Sequence, residues 1–201
     1  MTRSFALATA LLTFAFSTAL LSSSAFPEDP TPCGSGRWTV KTLSDKKAVQ
    51  VDFEPRWRSI RALSNLKAPK LRPGEPRIYP YEFRTYSVRG HLLMAGRAKD
   101  WDLHVIIARP GHWKRTMIVE FPHADGCRAS LSIKHDEMAG ARRSFIDACG
   151  SMSESFKTLD GLARITGVAF FDPDHGQTGV ARNSVELHPV LDFKMISGSC
   201  K

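Results

Sequence analysis

The sequence predicts a mainly β domain of five strands with one helix between strands three and four, preceded by a short N-terminal extension. Three observations support this. From Glu82 onward apolar residues recur with a period of two in successive stretches, the spacing that turns alternate side chains to opposite faces of a strand. Only one later segment, near residues 136–149, carries the three-and-four spacing of a buried helix face. Glycine and proline clusters separate these segments.

The chain has 201 residues, 42% hydrophobic and 24% charged, a balance that excludes intrinsic disorder, a coiled coil and a membrane-embedded transporter. Met1-Thr2-Arg3 forms a small basic start, Phe5 to Leu21 is almost wholly apolar, and Ser23 and Ala25 are small residues placed for cleavage. Residues 1–25 are therefore expected to be a signal peptide and the mature chain to be secreted or periplasmic. The charge of +8 falls only to +7 on their removal, because Arg3 is the single charged residue lost. No later stretch is apolar enough to span a membrane.

Residues 26–81 read as the extension. Arg37 to Leu43 suits a short strand, and Pro55 to Leu63 a brief basic helix with Trp57, Ile60 and Leu63 on one side. Pro69, Pro73, Pro76 and Pro80 then interrupt regular structure. Within 82–201, Glu82 to Lys99 reads as a long strand able to bend at Gly90 and Gly96. Residues 101–108 and 116–121 form a hairpin about the Arg109-Pro110-Gly111-His112 turn. Asp136 suits the N-cap of the helix and Gly150 its end, while Met138, Ala141, Phe145 and Ala148 share the buried face and Arg142 and Arg143 point to solvent. Residues 163–171 and 184–195 are the last two strands, joined by the turn-rich Asp172-Pro173-Asp174-His175-Gly176 segment.

This element order resembles an OB fold, an OB-like five-stranded barrel with its helix between strands three and four. Trp101-Asp102-Leu103-His104-Val105, Thr116-Met117-Ile118-Val119-Glu120, Gly167-Val168-Ala169-Phe170-Phe171-Asp172, Gly179-Val180-Ala181 and Val185-Glu186-Leu187-His188-Pro189-Val190-Leu191 are similar to segments of uncharacterised small secreted bacterial proteins. That resemblance implies an exported domain and brings no activity with it.

In an oxidising compartment Cys33, Cys127, Cys149 and Cys200 would form disulfides, with Cys33–Cys200 and Cys127–Cys149 the preferred pairing. None lies in a C-x-x-C or zinc-knuckle spacing, so their role is structural.

Strand phase groups the chemistry-bearing residues. Asp102 and His104 share one face of the second strand, Glu120 lies on the less apolar face of the third, and Glu186 and His188 share one face of the fifth. The expected neighbour order puts these strands side by side, assembling imidazoles and carboxylates suited to a divalent metal. Shared facing does not by itself bring ligands to coordination distance, and hydrogen bonding or charge pairing is the plainer use of such residues. Asp172, Asp174 and His175 have turn chemistry and lack an EF-hand ligand pattern. No G-x-S-x-G, Walker A or dinucleotide fingerprint occurs, and no organic cofactor is expected.

Arg56, Arg58 and Arg61 with Arg84 and Arg89 form a basic region, beside which Tyr86 and Trp113 would offer aromatic platforms. The leading functional expectation is therefore an OB-like binding module for a polyanionic or glycan ligand, its partners being single-stranded nucleic acid, an anionic glycan or a protein. The alternatives are a metal-dependent nuclease or other hydrolase using Asp102, Glu120, Glu186 and a histidine, and a structural or protein-interaction domain.

Overall fold

The computed structural model describes residue 1 and residues 33–34, 36–72, 74–173 and 175–200; the expected signal peptide and Asp174 lie outside the described residues. The elements are α1 (Trp38–Lys41), β1 (Asp52–Trp57), α2 (Ile60–Leu63), β2 (Arg84–Arg97), β3 (Leu103–Arg109), β4 (His112–Phe121), α3 (His135–Cys149), β5 (Lys157–Thr158), β6 (Leu162–Phe171) and β7 (Val185–Ser197).

These strands make one mixed sheet. Its order is β1-β2-β3-β4-β7-β6, with β5 paired to β2 and a further β2–β6 pairing that closes the bonds of five strands into a ring. The expected five-stranded OB-like barrel is corrected to this seven-stranded arrangement. Two causes are visible. Residues 55–57, expected to begin a helix, instead belong to β1 and run parallel to β2, pairing Arg56 with Tyr86 and Trp57 with Ser87. Pro55 is compatible with this because β1 is an edge strand and needs no donor on its outer side. The 14-residue β2 is also long enough to serve several partners. Its first half pairs with β1 and β6 and its second half with β3 and β5. Gly90 permits this course, since a Cβ there would lie 2.9 Å from Ile107 Cδ1.

Other local expectations change too. Residues 38–41 are a helical turn rather than a strand, and α2 is confined to four residues, with Ser59 Oγ accepting from the Ala62 amide. Helix α3 begins at His135, so Asp136 lies in its first turn instead of capping it. Arg142 is not simply solvated: its guanidinium donates to the carbonyls of Phe121, at 2.7 Å, and Trp101, at 2.8 Å.

Alternation along the strands builds the main core from Val88, Val105, Ile107, Met117, Val119, Ile165 and Leu187. Helix α3 covers part of it through Phe145, whose ring stands 5.0 Å from Phe121 and 5.3 Å from Phe193. The opposite side of β3, β4, β6 and β7 is also covered. Leu43, Ala48 and Val51 pack on Val168, while Gly179 lies against Ile106. Polar residues on that second side are consequently buried.

The disulfides are Cys33–Cys127 and Cys149–Cys200, correcting both preferred pairs. The α3 end and the chain end meet, with Cα atoms 5.0 Å apart, while Cys33 reaches the segment before α3 at 5.3 Å. Sequence spacing alone could not distinguish these partners. Among the described residues no helix is long and apolar enough to cross a membrane.

Candidate metal centre

Strand register positions the centre. β3 and β4 pair antiparallel with His104 opposite Glu120, and β4 and β7 pair parallel with Ile118 opposite Glu186. Asp102 immediately precedes β3. Period-two facing then turns Asp102, His104, Glu120, Glu186 and His188 away from the main core, into the space covered by residues 37–48, 172–173 and 175–184.

Asp102, Glu120 and His188 offer ligand atoms that all lie within 4.8 Å of one another. His188 stands between the acids: Nδ1 is 3.0 Å from Glu120 Oε2 and Nε2 is 3.3 Å from Asp102 Oδ2. These are ion-pair distances, yet neither His188 ring nitrogen nor Asp102 Oδ2 attains hydrogen-bond geometry. The remaining carboxylate oxygens are held. The His123 amide donates to Asp102 Oδ1 at 2.9 Å, and His104 Nδ1 meets Glu120 Oε1 at 2.9 Å. His104 Nε2 faces the Thr178 carbonyl at 3.2 Å, so both its ring nitrogens meet oxygen acceptors. Phe170 packs edge-on to His188 with centroids 5.8 Å apart.

A second row adjoins this one. Lys41 Nζ lies 3.1 Å from Asp172 Oδ2, and Glu186 is buried with Oε2 lacking a hydrogen-bond partner. The acids diverge in charge preference. Burial pushes Asp102 up to about 6, against the influence of His188. Burial and the nearby charges of Glu120 and Asp172 push Glu186 well above the usual carboxylate range. For Glu120 burial acts upward, but the His188 charge, the contacts with His104 and His188, and Lys41 hold it well below that range. Burial works against protonated His188, yet Glu120 and Asp102 outweigh it and raise the imidazole to about 9. Lys41 is likewise held above its usual range by Glu120, Asp172 and Glu186 despite burial.

No family model, curated protein or solved structure matches the chain. The site therefore has to be read from its own chemistry.

Two carboxylates and one imidazole suit a divalent ion such as zinc or manganese, and three protein ligands leave coordination positions for water or substrate. The hydrogen bonds from His104 and the His123 amide fix the two acids in the manner that orients metal ligands. Of the five residues expected at a metal site, Asp102, Glu120 and His188 form the compact group, His104 supports Glu120, and Glu186 stands beside it. Lys41 and Asp172 complete the surroundings. Asp172 had turn chemistry as its expected role, and Lys41 carried no sequence signal because residues 38–41 gave no sign of folding over this face.

Of the seven residues expected at an aromatic and basic surface, six line cavities or are exposed and one is buried. Tyr86 is buried in the main core. Arg56 pairs with Asp52 at 2.8 Å and, with Arg84, lines one cavity; Arg58 and Arg89 line a second around Trp57; Arg61 lines a third. Trp113 stacks near His91, with centroids 4.7 Å apart. The polyanion- or glycan-binding module is thus corrected on the fold: the five-stranded barrel it required is replaced by a seven-stranded mixed sheet.

Proposed function

We propose that this chain is a metal-dependent hydrolase whose ion is held by Asp102, Glu120 and His188. The observation carrying the reading is the convergence of three ligating side chains at buried positions, with Asp102 Oδ2 and both His188 nitrogens free of hydrogen bonds. Removing such charges from water costs several kcal/mol per ion unless a compensating charge or hydrogen bonds replace it. In the metal-free chain protonated His188 supplies that charge to Glu120 and Asp102; a divalent cation would take its place and leave the imidazole neutral as a ligand.

When bound, the ion would lower the pKa of a coordinated water and polarise an ester oxygen. The chain's own residues prepare the place. His104 fixes Glu120, the His123 amide fixes Asp102, and Phe170 limits the orientation of His188. His104 and Glu120 retain about 8% and 9% exposure, whereas Asp102 is fully buried, so the His104–Glu120 side is the less enclosed side of the group. A net charge of +8, or +7 without residues 1–25, favours approach of anionic esters, making phosphodiesters the first substrate class to test.

An exported destination belongs to the same proposal. It is supported by the apolar run from Phe5 to Leu21 and by two disulfides, which persist in oxidising compartments. Cell fractionation with N-terminal sequencing of the recovered chain should find processing after Ala25; cytoplasmic recovery with Met1 intact would overturn it.

The functional test combines metal analysis of gently purified protein with cleavage of labelled nucleic acid and of small phosphodiesters and carboxylic esters, with zinc, manganese or magnesium supplied. A stoichiometric ion and metal-dependent cleavage that disappears in Asp102→Asn are expected. Absence of both ion and uptake would overturn the reading, while uptake without cleavage of any ester class would convert the site into a structural metal centre.

A further inference from the structure

A second feature lies apart from the buried centre. A cavity of about 350 Å³ opens between α2, the start of β4 and the segment near residue 180. Arg61, Lys114, Arg115 and Arg182 line it together with Asn65 and Thr116, and its lining contains no acidic residue. Elsewhere the arginines commonly have carboxylate partners, as in Arg37–Glu82, Arg77–Asp45 and Arg164–Asp192. Among the described residues, the side chains of Arg61, Lys114 and Arg115 have no hydrogen-bond or ion-pair partner.

Arg182 is positioned rather than loose. Its Nε donates to the Ser64 carbonyl at 3.0 Å and Nη2 donates to Asn65 Oδ1, leaving Nη1 without a hydrogen bond. Neighbouring Asn183 anchors the same segment by donating to the Leu63 and Leu66 carbonyls, at 2.9 and 3.0 Å. Four like charges around one concavity repel one another, and an anion seated among them removes that repulsion. Guanidinium groups match phosphoryl oxygens in charge and planar geometry.

We propose that this cleft is a binding site for a compact anion bearing two adjacent phosphoryl groups. Four cations lining one cavity, with Lys114 and Arg115 reaching it from opposite faces of β4, carry charge for a diphosphate rather than a single phosphate. They also favour a compact ligand over an extended strand, which would be met by charges strung along a track. The volume falls within the roughly 300–1,000 Å³ of small-molecule sites. Thr116 lies four residues from Glu120 along β4, on the order of 13 Å at strand spacing, with buried Ile118 between them. The cleft is therefore independent of the metal ligands and requires no ion in them.

The test is calorimetric titration of the full mature chain with inorganic pyrophosphate, in EDTA, at about 0.15 M ionic strength so that long-range attraction is screened. Saturable one-to-one binding is expected. The double variant Lys114→Gln, Arg115→Gln should lower affinity at least about tenfold, as loss of charge-assisted bonds implies, without changing the melting temperature. Arg61→Gln provides a second reading from α2. The control Arg128→Gln, Arg143→Gln removes two exposed cations at and before α3, outside the cleft's lining, and should leave affinity unchanged. Absence of saturable binding, or equal weakening in the control, would overturn the site. Tighter, competing binding of an oligothymidine single strand would also overturn it by making an extended nucleic acid the ligand. Because divalent ions are absent throughout, failure of the metal-centre reading would leave this result unchanged, and the converse also holds.

Discussion

Replacing Glu120 by Gln should change the pH dependence of stability in the metal-free protein, as well as the stability itself. His188 is fully buried and its pKa is raised from 6.5 to about 9. Burial opposes this shift and Glu120 is the leading charge that overcomes it. A group whose folded pKa is raised stabilises the native state fully below its unfolded pKa, and loses that contribution as pH rises through the folded value. The window here runs from about 6.5 to 9. At about 1.4 kcal/mol per pKa unit, the wild-type chain should lose up to about 3 kcal/mol across it. Glu120→Gln removes the carboxylate while keeping the side-chain shape, so His188 should become neutral near or below its ordinary pKa. Lys41 would lose one of its compensating charges as well. Breaking a buried ionic group by removing one member costs about 3–5 kcal/mol, most of it expressed here at low pH where His188 is charged in the wild type. Urea denaturation of both EDTA-treated proteins at several pH values between 6 and 9.5 measures the difference. The stability gap should narrow as pH rises; a constant gap, or a gap that widens, would refute the assignment of the His188 charge to Glu120.

Gly179→Ala should destabilise the fold by about 2–4 kcal/mol, combining strain at its positive φ with overpacking, because the new Cβ would fall 2.6 Å from Ile106 Cγ2. Equal midpoints and slopes in denaturant would contradict that close approach. Peptide mapping without reduction should recover Cys33–Cys127 and Cys149–Cys200 and no crossed pair. The paired substitution Cys149→Ser, Cys200→Ser should cost up to about 4 kcal/mol for the 51-residue separation, read from urea midpoints, and an unchanged midpoint would show that this link does not constrain the unfolded chain. Glu82→Gln should be among the most destabilising changes, by about 3–5 kcal/mol. Glu82 is fully buried, pairs with Arg37, and accepts from the amides of Ile78 and Phe171 at 2.8 and 2.9 Å. A loss below about 1 kcal/mol in denaturation would contradict this role.

The site was more legible in the sequence than the sheet that carries it. Alternation in residues 103–109, 112–121 and 185–197 was sufficient to put Asp102, His104, Glu120, Glu186 and His188 on common faces, because strand facing depends only on parity. It could not show that this face would be covered. Val105, Ile106, Ile107 and Ala108 are all apolar, which marks a strand buried on both sides, but the covering segments carry no periodic signal of their own. Lys41 and the Thr178 carbonyl reach the site from just such segments. The sheet departs from the sequence pattern where local spacing conflicts with long-range pairing. Trp57, Ile60 and Leu63 have helical spacing, yet residues 52–57 gain more by bonding along β2, and the helix starts only after Ser59. The cysteine partners depend on tertiary positions that spacing does not encode. Of the residues expected at a basic and aromatic surface, Tyr86 turns into the main core, because its strand position gives it the buried parity of Val88.

Whether Asp102, Glu120 and His188 bind a divalent ion is tested most directly by uptake measured with native mass spectrometry alongside thermal unfolding. EDTA-treated protein supplied with zinc or manganese should take up one ion per chain. At a free concentration 100 times the dissociation constant it should gain about 2.7 kcal/mol, or on the order of 5–10 °C for a chain of this size. Asp102→Asn and His188→Gln should each abolish both effects. No uptake by the wild type, or undiminished uptake by both variants, would contradict the metal centre.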